Sequence, residues 1–582
     1  MSTDFDVIIQ GGLVIDGKGT PGFESDIGIK GDTITAIADL KQAHAKTVIS
    51  ARDKVVTPGF IDMHSHSETT ILEFPAAQSS IGQGITTAIG GHCGFSPAPA
   101  TEYWVTGTWD WNWWHRAAPE KHALERVVKF DLARKYSLEV AGLDINWKTF
   151  GQWMERVEQA RPGMNICPLV GHATVRGAVM GCDYRRSASD EETQRMKWLI
   201  EEAMDSGAWG ISNGMDYVPN AFSTHRESCE VVKTATRRGG IFSSHWRRTG
   251  LRVGFGNPGL IDGIKEAVAI AREASCQLQI AHLSSGYLVS PQPTTRLAVC
   301  AAEETLAYLD EVISQGVDLA FDVIPNHLTG GLCQMKYVAS ILAPWLREAG
   351  NLEQFAENLR APDYRDEIRK YIESGQYYSL NPITARNWAH SIMVGKSNVK
   401  SYSYRTIADI AAEASSDPFN ALMQVIMDDP YARLSLGRQD TRDDAKRVFF
   451  RHPRAMVGND TEVFDTLAEQ TVPPYYLPNP NTYGGMARFL KRYALGMLGL
   501  EEGIRRITSL PASTMGIKDR GEILVGKKAD IVVFTPSQVD EKSTDDEPRQ
   551  YPEGFSWVLV NGVPALANGK HTLSRSGRIL RR

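Results

Sequence analysis

Several features that define other classes of protein are missing from this chain. Its 582 residues contain no run of about 18 apolar residues, so the sequence predicts no membrane-spanning helix. The first residues, MSTDFDVIIQGG, lack the basic start and apolar core of a secretory signal. We therefore expect a cytoplasmic protein with no membrane partner.

Clusters of positive charge are also missing. The net charge is -6, and the Lys and Arg residues are scattered along the chain. Because nucleic-acid-binding proteins usually carry a concentrated basic surface, we expect no nucleic-acid partner and instead a small-molecule substrate. The seven cysteines include no CxxC pair, which argues against a disulfide framework in a chain of this length.

Short β-type segments are present near both ends of the chain. DVIIQGGLVIDG and SDIGIKGDTITAIA come early, whereas GEILVGKKADIVVFTP and FSWVLVNGVPALANGK come late. Gly and Asp punctuate these segments, as they do at turns between strands. We therefore predict a small β-sandwich domain that both ends build together, from residues 1–56 and 518–582.

Between these ends, eight short apolar segments finish in polar residues. They are VVTPGFIDMHSH, GITTAIGGHCG, NICPLVGH, GAWGISNG, GGIFSSHW, QLQIAHLSS, VDLAFDVIPN and RAMVGND. A helical pattern follows most of them, as in SDEETQRMKWLIEEAMDSG, where Ser189 and Glu192 form a capping box. Repeated strand–helix units predict a parallel sheet, and eight units predict an α/β fold with a TIM-like (β/α)8 barrel over residues 57–517.

A long stretch at about residues 335–445 interrupts this rhythm. It has helical patterns and no clear strand. We predict a largely helical insertion between the seventh and eighth strands, which either covers the barrel mouth as a lid or packs against another subunit.

Metal-ligand side chains stand at five of the eight predicted strand ends. His64 and His66 end the first strand, and because residues i and i+2 of a strand point to the same side, both can bind one metal ion. The other four ends carry Cys93, His245, His282 and Asp460. A lone His or Cys is usually a packed or surface residue, but this set indicates a metal site at the mouth of the barrel.

Other candidate residues have two interpretations each. His172, in LVGHATVRG, either lines the pocket or packs near a strand end, and His92 at most supports a ligand. Tyr217, in GMDYVPN, either donates a hydrogen bond to the reacting group or packs in a loop. The remaining cysteines lie in or beside apolar segments, so we interpret them as small core residues; they are Cys167, Cys182, Cys229, Cys276, Cys300 and Cys333.

These motifs resemble the amidohydrolase superfamily and, within it, the N-acyl-D-amino-acid deacylase (D-aminoacylase) family. TPGFIDMHSHSE, GITTAIGGHCGFSPAP, LVGHATVRGAVMG, GAWGISNGMDYVP, SSHWRRTG, IAHLSS, MVGND and GEILVGKKADIVVF resemble that family's blocks in order. The block GHCGFSPAP is the most specific, because Cys93 replaces the carboxylated lysine of many relatives. The resemblance implies a tightly bound Zn2+ on Cys93, His245 and His282, and a second, weaker metal position on His64 and His66 that shares Cys93. It also implies that Asp460 is the catalytic carboxylate.

These residue types suit hydrolysis of a carbon–nitrogen amide bond. Zinc lowers the pKa of water to about 7 and polarises a carbonyl oxygen. Asp460 can take a proton from the attacking water and pass it to the departing nitrogen. A cyclic amide or lactone hydrolase, or a deaminase, can use the same groups. A non-catalytic scaffold is the remaining class, but it would be expected to lose ligands that this chain keeps.

The chain departs from this family where relatives hold the carboxylate of an N-acyl amino acid. The family has a Lys after the sixth-strand His, a Tyr after the seventh strand and an Arg in an HPR block. Here these regions read His282-Leu283-Ser284, Asp322-Val323-Ile324-Pro325-Asn326 and Asn479-Pro480-Asn481. Because a buried carboxylate without a cation is costly, we expect a substrate without a free α-carboxylate unless Arg247, Arg248 or Arg488 compensates.

A tryptophan-rich segment follows the Cys93 strand. TEYWVTGTWDWNWWHR, residues 101–116, contains Trp104, Trp109, Trp111, Trp113 and Trp114. These side chains either bind a bulky apolar or aromatic amide or only pack the loop onto the barrel. The first interpretation makes Trp113, Ser284 and Asn481 substrate contacts, and ordinary N-acyl-D-amino-acid deacylation is the alternative.

Overall fold

The structure is a computed structural model. It describes residues 4–106, 113, 126–215, 218–247, 261–284, 294–326, 329–331, 342, 345–346, 348–373, 388–436, 440–465, 478–544 and 547–582. Among these residues, no helix is both long enough and apolar enough to cross a membrane.

Nine strands from the two ends of the chain form one sheet. Five come first and four come last: β1 (Phe5–Val14), β2 (Phe23–Lys30), β3 (Thr33–Ala38), β4 (Ala45–Ser50), β5 (Val55–Pro58), β21 (Ile531–Phe534), β22 (Phe555–Val560), β23 (Val563–Ala567) and β24 (Lys570–His571). The sheet order is β24-β23-β22-β21-β5-β1-β2-β3, and β4 pairs with β1. Val7, Ile9, Ile27 and Ile531 share its apolar core. We propose that residues 1–56 and 518–582 form one composite β domain around this sheet.

Eight parallel strand positions form the barrel. They are β6 (Phe60–Asp62), β7 (Ile85–Gly90), β10 (Asn165–Pro168) with β11 (Val170–Gly171), β12 (Gly210–Gly214), β13 (Ile241–His245), β14 (Leu278–Ile280), β15 (Leu319–Val323) and β20 (Ala455–Val457). β10 and β11 are two parts of the third strand, separated by Leu169. The intervening strands β8 (Tyr103–Val105) and β9 (Val127–Lys129) form a separate two-stranded sheet. All eight predicted strands are present, and the predicted barrel is confirmed.

Backbone hydrogen bonds close the barrel. The amide of Met63, just after β6, donates to the carbonyl of Val457 at the end of β20 over 3.1 Å. Inside, Ile61, Ile89, Ile241 and Met456 belong to one apolar cluster, as expected for a barrel whose interior is packed with side chains. The polar residues that follow each strand therefore lie together at the carboxyl end of the barrel.

Helices follow most barrel strands. Those with described bounds are α1 (Ser67–Thr70), α2 (Gln78–Ile81), α3 (Phe130–Ala141), α4 (Phe150–Ala160), α5 (His172–Met180), α6 (Asp190–Asp205), α7 (His225–Thr236), α8 (Asp262–Ala274), α9 (Thr295–Ser314), α10 (Leu352–Asn358), α11 (Pro362–Glu373), α12 (Trp388–Ser391), α13 (Ile407–Glu413), α14 (Pro418–Asp428), α15 (Asp440–Arg451), α16 (Asn481–Phe489), α17 (Leu500–Arg506) and α18 (Ser509–Met515). A π-helical segment, Leu490–Leu498, continues α16. At α6, Ser189 and Glu192 form the predicted capping box.

The region between β15 and β20 contains strands that the sequence did not predict. β16 (Thr329–Gly331), β17 (Ile392–Lys396), β18 (Arg405–Thr406) and β19 (Arg433–Leu436) form an antiparallel sheet in the order β16-β19-β17-β18. Helices α10 to α14 pack with this sheet around a separate core that includes Phe355, Ile392 and Leu422. The insertion thus contains strands where the sequence shows no clear strand, because strands of two to five residues are too short to show a periodic pattern.

Candidate metal centre

The predicted ligands meet at the carboxyl end of the barrel. His64 and His66 follow β6, Cys93 follows β7, His245 ends β13, and His282 follows β14. All five side chains are buried. Side chains so far apart in sequence come together because parallel barrel strands all end at the same rim.

Cys93 lies at the centre of this cluster. Its Sγ is 3.4 Å from His64 Nε2, 3.3 Å from His245 Nδ1 and 3.5 Å from His282 Nε2. His245 Nδ1 and His282 Nε2 are 2.7 Å apart. Cys93, His245 and His282 therefore present one sulfur and two nitrogen atoms to a common point.

A second group of donor atoms shares Cys93. Asp460 Oδ1 is 3.4 Å from His64 Nε2 and 3.2 Å from His66 Nε2. His64, His66, Cys93 and Asp460 each offer one ligand atom, and these atoms all lie within 4.8 Å of one another. The cluster thus has two adjacent sets of donors with the thiol between them.

The spacing of these donors fits zinc. Zn–N bonds of about 2.0–2.1 Å and Zn–S bonds of about 2.3 Å place tetrahedral ligands about 3.3–3.6 Å apart. The three distances from Cys93 Sγ, 3.3–3.5 Å, match this spacing, whereas the His245–His282 pair is closer. Thiolate and imidazole are also the ligand types that zinc prefers.

Neighbouring charges favour the thiolate form of Cys93. Burial raises the pKa of its thiol, but the imidazoles of His245 and His64 outweigh burial and hold the pKa well below its usual range. Burial likewise lowers the pKa of His64, but Asp322, the Cys93 thiolate and Asp460 together raise it well above its usual value. The cluster thus stabilises a thiolate, which is the form that binds metals.

Comparison with known proteins shows which proteins this chain resembles. A family model described as "Amidohydrolase family" matches residues 47–325. A D-aminoacylase of Alcaligenes xylosoxydans xylosoxydans is 28% identical over 591 residues, which cover 100% of this chain and 98% of the relative.

Solved structures agree with this match. A D-aminoacylase described as having a binuclear metal center is 26% identical, with a TM-score of 0.69 over 99% of this chain and 100% of that one. The N-acyl-D-glutamate deacylase of Bordetella bronchiseptica, complexed with zinc and a phosphonate inhibitor, is also 26% identical, with a TM-score of 0.67 and the same coverage.

The chain resembles the amidohydrolase superfamily over its whole length. The predicted resemblance to D-aminoacylases is confirmed, as are hydrolysis of carbon–nitrogen amide bonds and dependence on a metal cofactor.

Carboxylates that the sequence analysis missed surround the histidines of this amidohydrolase. Asp322, at the end region of β15, accepts a hydrogen bond from the His282 amide at 2.9 Å, and its Oδ1 is 3.5 Å from His64 Nδ1. Asp62 accepts from the amides of His64 and Asn459 at 3.2 and 3.0 Å, and burial raises the pKa of Asp62 to about 7. Such carboxylates orient metal-binding histidines. The available signal was position, because Asp322 belongs to the seventh barrel strand.

Three site residues have a left-handed backbone. The φ angles of Cys93, His282 and Asp460 are 56°, 38° and 54°. Non-glycine residues rarely adopt this conformation, and the strain is often located at functional sites. Nearby, a Cβ on Gly458 would lie 2.4 Å from His64 Cβ, so glycine is required where β20 approaches the first histidine.

The other candidate residues near the strand ends are His172, His92 and Tyr217. His172 is buried, with Nε2 3.0 Å from Glu227 and Nδ1 2.9 Å from Asn220, so both ring nitrogens are engaged and we leave His172 out of the substrate site proposed below. The His92 ring stacks on His64 at 4.1 Å. Tyr217 lies outside the described residues.

Ser284 and Asn481 were predicted as substrate contacts, in regions where the resemblance implies cations in relatives. Ser284 is half-buried, two residues after His282. Asn481 begins α16 and is fully buried, and among the described residues neither polar atom of its side chain has a hydrogen-bond partner. A Cβ on Gly485 would meet both Asn459 and Asn481, so Asn481 is close to the segment that carries Asp460.

A cavity lined by tryptophans lies beside the first and second strand ends. Part of it is open to solvent. Trp104, Trp113, Trp147 and Trp153 contribute to its wall, together with Glu68. Glu68 Oε1 is 3.7 Å from His66 Nδ1, so the cavity adjoins the metal-ligand cluster. Trp109, Trp111 and Trp114 lie outside the described residues.

The cysteines outside this cluster are less uniform than predicted. Cys167 and Cys229 are buried, but Cys182 and Cys300 are exposed. The interpretation of these two as core residues is wrong, because an apolar neighbourhood in sequence does not determine which face of a helix or turn a residue occupies. Cys333 lies outside the described residues.

Proposed function

We propose that this amidohydrolase cleaves a bulky apolar or aromatic amide that lacks a free α-carboxylate. The observation that carries the proposal is the tryptophan-lined cavity, whose wall also contains the Glu68 carboxylate next to His66. Tryptophan walls bury large apolar groups, whereas a buried carboxylate repels an anionic one.

Cys93, His245 and His282 would hold the tightly bound zinc. His64 and His66 would hold a second metal more weakly and share Cys93 with the first. When bound, zinc supplies Lewis acidity, which lowers the pKa of water and polarises the amide carbonyl. Asp322 and Asp62 keep the histidines in position through the hydrogen bonds described above.

Asp460 would carry the proton. Its side chain is 13% exposed, so it is the member of the cluster that can contact both water and substrate. The carboxylate would accept a proton from the attacking water and then donate it to the amide nitrogen as the carbon–nitrogen bond breaks. His64 Nε2 and His66 Nε2 lie 3.4 and 3.2 Å from its Oδ1, so the carboxylate borders the proposed second metal position.

Two of the three arginines that could compensate for the lost cations are already paired. Arg247 Nε is 2.7 Å from Glu266, and Arg488 is 3.1 Å from Asp443 and 3.5 Å from Glu541. Arg248 lies outside the described residues. These pairs reduce the positive charge available to a substrate carboxylate.

One observation favours the alternative, ordinary N-acyl-D-amino-acid deacylation. The guanidinium of Arg126 lies 4.0 Å over the ring of Phe95, which lines the cavity. Arg126 is only 2% exposed. Its Nε donates to the Val218 carbonyl over 3.3 Å, so a substrate carboxylate would have to pair with the remaining nitrogens of the guanidinium. The D-aminoacylase and N-acyl-D-glutamate deacylase relatives favour the same alternative.

Substrate comparison separates these two functions. We expect kcat/KM for an N-acyl-D-amino acid to be lower than for its carboxamide or for an aryl amide of similar size. A wide preference for the free acid, lost in Arg126→Gln, would establish the deacylase alternative instead. Including a cyclic amide and a lactone in the panel tests the other hydrolase classes, and hydrolysis of none of these compounds, with or without added zinc, would contradict the enzyme proposal.

A matched pair of variants tests the cavity itself. Trp113 is almost fully buried in the cavity wall, whereas Trp198 on α6 is exposed. We expect Trp113→Ala to raise KM for the aryl amide while the zinc content stays unchanged, and Trp198→Ala to leave KM unchanged. Equal KM values in both variants would show that the tryptophans only pack the loop.

A further inference from the structure

A second group of metal-ligand side chains lies on the outer wall of the barrel. Helices α7 and α8, which follow β12 and β13, pack side by side and bring together His225, Cys229 and Glu273. His225 and Cys229 are four residues apart on α7, so they share one helix face. Glu273 is in the last turn of α8. None of the three belongs to the cluster around Cys93.

The three donor atoms are spaced like ligands of one ion. Cys229 Sγ is 3.3 Å from His225 Nε2, and His225 Nε2 is 3.1 Å from Glu273 Oε2. These distances are close to the spacing of about 3.3–3.6 Å between tetrahedral zinc ligands. Each residue offers a different donor type, namely a thiol sulfur, an imidazole nitrogen and a carboxylate oxygen. Burial and the Glu273 carboxylate raise the pKa of the Cys229 thiol to about 12, so the ion has to displace the thiol proton.

A lysine binds the Glu273 carboxylate through the oxygen that does not contact His225. Lys233 Nζ donates to Glu273 Oε1 over 2.9 Å, which leaves Oε2 directed at His225. Both carboxylate oxygens of Glu273 are therefore engaged, Oε1 by Lys233 and Oε2 by His225, and a bound ion would replace the contact between Oε2 and His225.

Solvent reaches this group of three side chains from one side. Cys229 is 1% exposed, whereas the His225 and Glu273 side chains are 48% and 47% exposed. An ion can therefore enter from solvent and keep a water molecule as its fourth ligand. In the cluster around Cys93, by contrast, every histidine is buried.

We propose that His225, Cys229 and Glu273 form a separate transition-metal site that links α7 to α8 and takes Zn2+ or another divalent ion with affinity for sulfur and nitrogen. Binding forms one metal–sulfur bond, and the thiol proton is released to solvent. The site revises the sequence interpretation of Cys229 as an inert core residue. Because the ion bridges two neighbouring barrel helices, its binding stabilises the folded barrel.

Cobalt provides a direct test, since Co2+ bound to a thiolate absorbs in the near ultraviolet. The parent protein is first given only as much zinc per chain as the Cys229→Ala variant retains, so that the zinc fills the cluster around Cys93, and it is then titrated with Co2+. We expect one additional ion per chain, a thiolate-to-cobalt band and a higher thermal midpoint. Cys229→Ala and Glu273→Gln should each lose the additional ion and the rise in midpoint while turnover without added cobalt is unchanged.

Cys182→Ser is the matched control, because Cys182 is an exposed cysteine far from these helices in sequence. It should bind the additional ion like the parent protein. The proposal is overturned if the parent binds no additional ion, if Cys229→Ala and Glu273→Gln both retain it, or if the ion disappears with Cys182. Exchange of Co2+ into the catalytic cluster is recognised because it occurs equally in all variants.

Discussion

Both the side-chain contacts and the backbone conformation position the Asp460 carboxylate. Its Oδ1 lies between His64 and His66, at 3.4 and 3.2 Å, and its backbone is left-handed, with φ of 54°. The backbone conformation aims the side chain back at the strand ends, and its amide donates to the His64 carbonyl over 2.8 Å. The carboxylate is thus fixed by the main chain before any substrate arrives.

Replacing Asp460 by Asn should separate proton transfer from metal binding. The amide keeps the size of the side chain but cannot accept and return a proton at neutral pH. We expect kcat to fall about 10²- to 10⁴-fold, the usual contribution of a general acid–base group, with an unchanged circular dichroism spectrum and zinc content. Turnover close to that of the parent would remove Asp460 from the proposed mechanism.

The variant Cys93→Ala tests metal binding, because we expect it to lose zinc, which Asp460→Asn should retain. Because Cys93 Sγ lies between both donor sets, its loss removes a ligand from each proposed metal position. We expect zinc per chain, measured by atomic absorption, to fall together with activity. A Cys93→Ala protein with full zinc and normal turnover would contradict the ligand assignment.

At the scale of single elements, the ends of helices and strands determine much of the local structure. Helix α6 begins with Ser189 Oγ accepting from the Glu192 amide over 3.1 Å, while Glu192 accepts from the Ser189 amide over 2.8 Å. Glu192 is also paired with Arg186 at 2.7 Å. Side chains that lie within four residues of each other therefore determine where this helix begins.

Removing the cap of α6 should cost a small, measurable free energy. We expect Ser189→Ala to lower the free energy of unfolding by about 1 kcal/mol, the typical value for a lost N-cap. Denaturation by urea measures the change. Ser187→Ala, two residues earlier and also exposed, is the control and should unfold like the parent; an equal effect of both substitutions would assign the loss to something other than the cap.

Strand β24 carries a histidine that should make stability depend on pH. Burial lowers the pKa of His571 from 6.5 to about 4, and its ring lies 4.7 Å from that of Tyr551. The unfolded chain therefore binds a proton near pH 6.5, whereas the folded chain binds it only near pH 4. The stabilisation is complete above pH 6.5 and is lost as the pH falls from 6.5 towards 4.

His571→Phe should remove this part of the acid sensitivity while it keeps an aromatic ring beside Tyr551. Allowing for partial exposure, we expect the loss between pH 6.5 and 4 to be about 1–2 kcal/mol smaller in the variant. Thermal midpoints across this range measure it. His44, whose side chain is 67% exposed, provides the control: if His44→Phe has the same effect, burial of His571 is not the cause.

At the scale of the whole molecule, a buried polar network joins the β domain to the barrel. Asp530 pairs with Arg520 and accepts from the Asn561 amide over 2.7 Å and from Asn165 Nδ2 over 3.1 Å. Asn561 Nδ2 donates to Asn165 Oδ1 over 2.8 Å. Asn165 begins β10, the third barrel strand, so residues almost 400 positions apart share one set of hydrogen bonds.

Breaking this network should destabilise the whole chain. Asp530→Ala leaves the Arg520 guanidinium buried without its main partner, which typically costs 3–5 kcal/mol. We expect a clearly lower urea midpoint. Asp519 also contacts Arg520 but is 52% exposed, so Asp519→Ala should change the midpoint little. Similar midpoints for the two variants would mean that the buried pair does not hold the domains together.

The sequence was sufficient for the barrel because each strand and its following polar residue are adjacent in the chain. Eight apolar segments predicted eight strands, and the capping box of α6 was correct in detail. The insertion was less predictable: its strands pair across distances such as Thr329 to Ser435, and a two-residue strand such as β18 exists only because its partner holds it.

For the site, residue type and position along the chain determined which side chains could bind a metal, since His64, His66, Cys93, His245, His282 and Asp460 all follow strands. Only the tertiary structure decided how close they are, which carboxylates support them, and that Cys229 lies against His225 and Glu273. The physical reason is that hydrogen bonds and coordination act over about 3 Å, and a linear pattern carries no information about such distances between separate helices and strands.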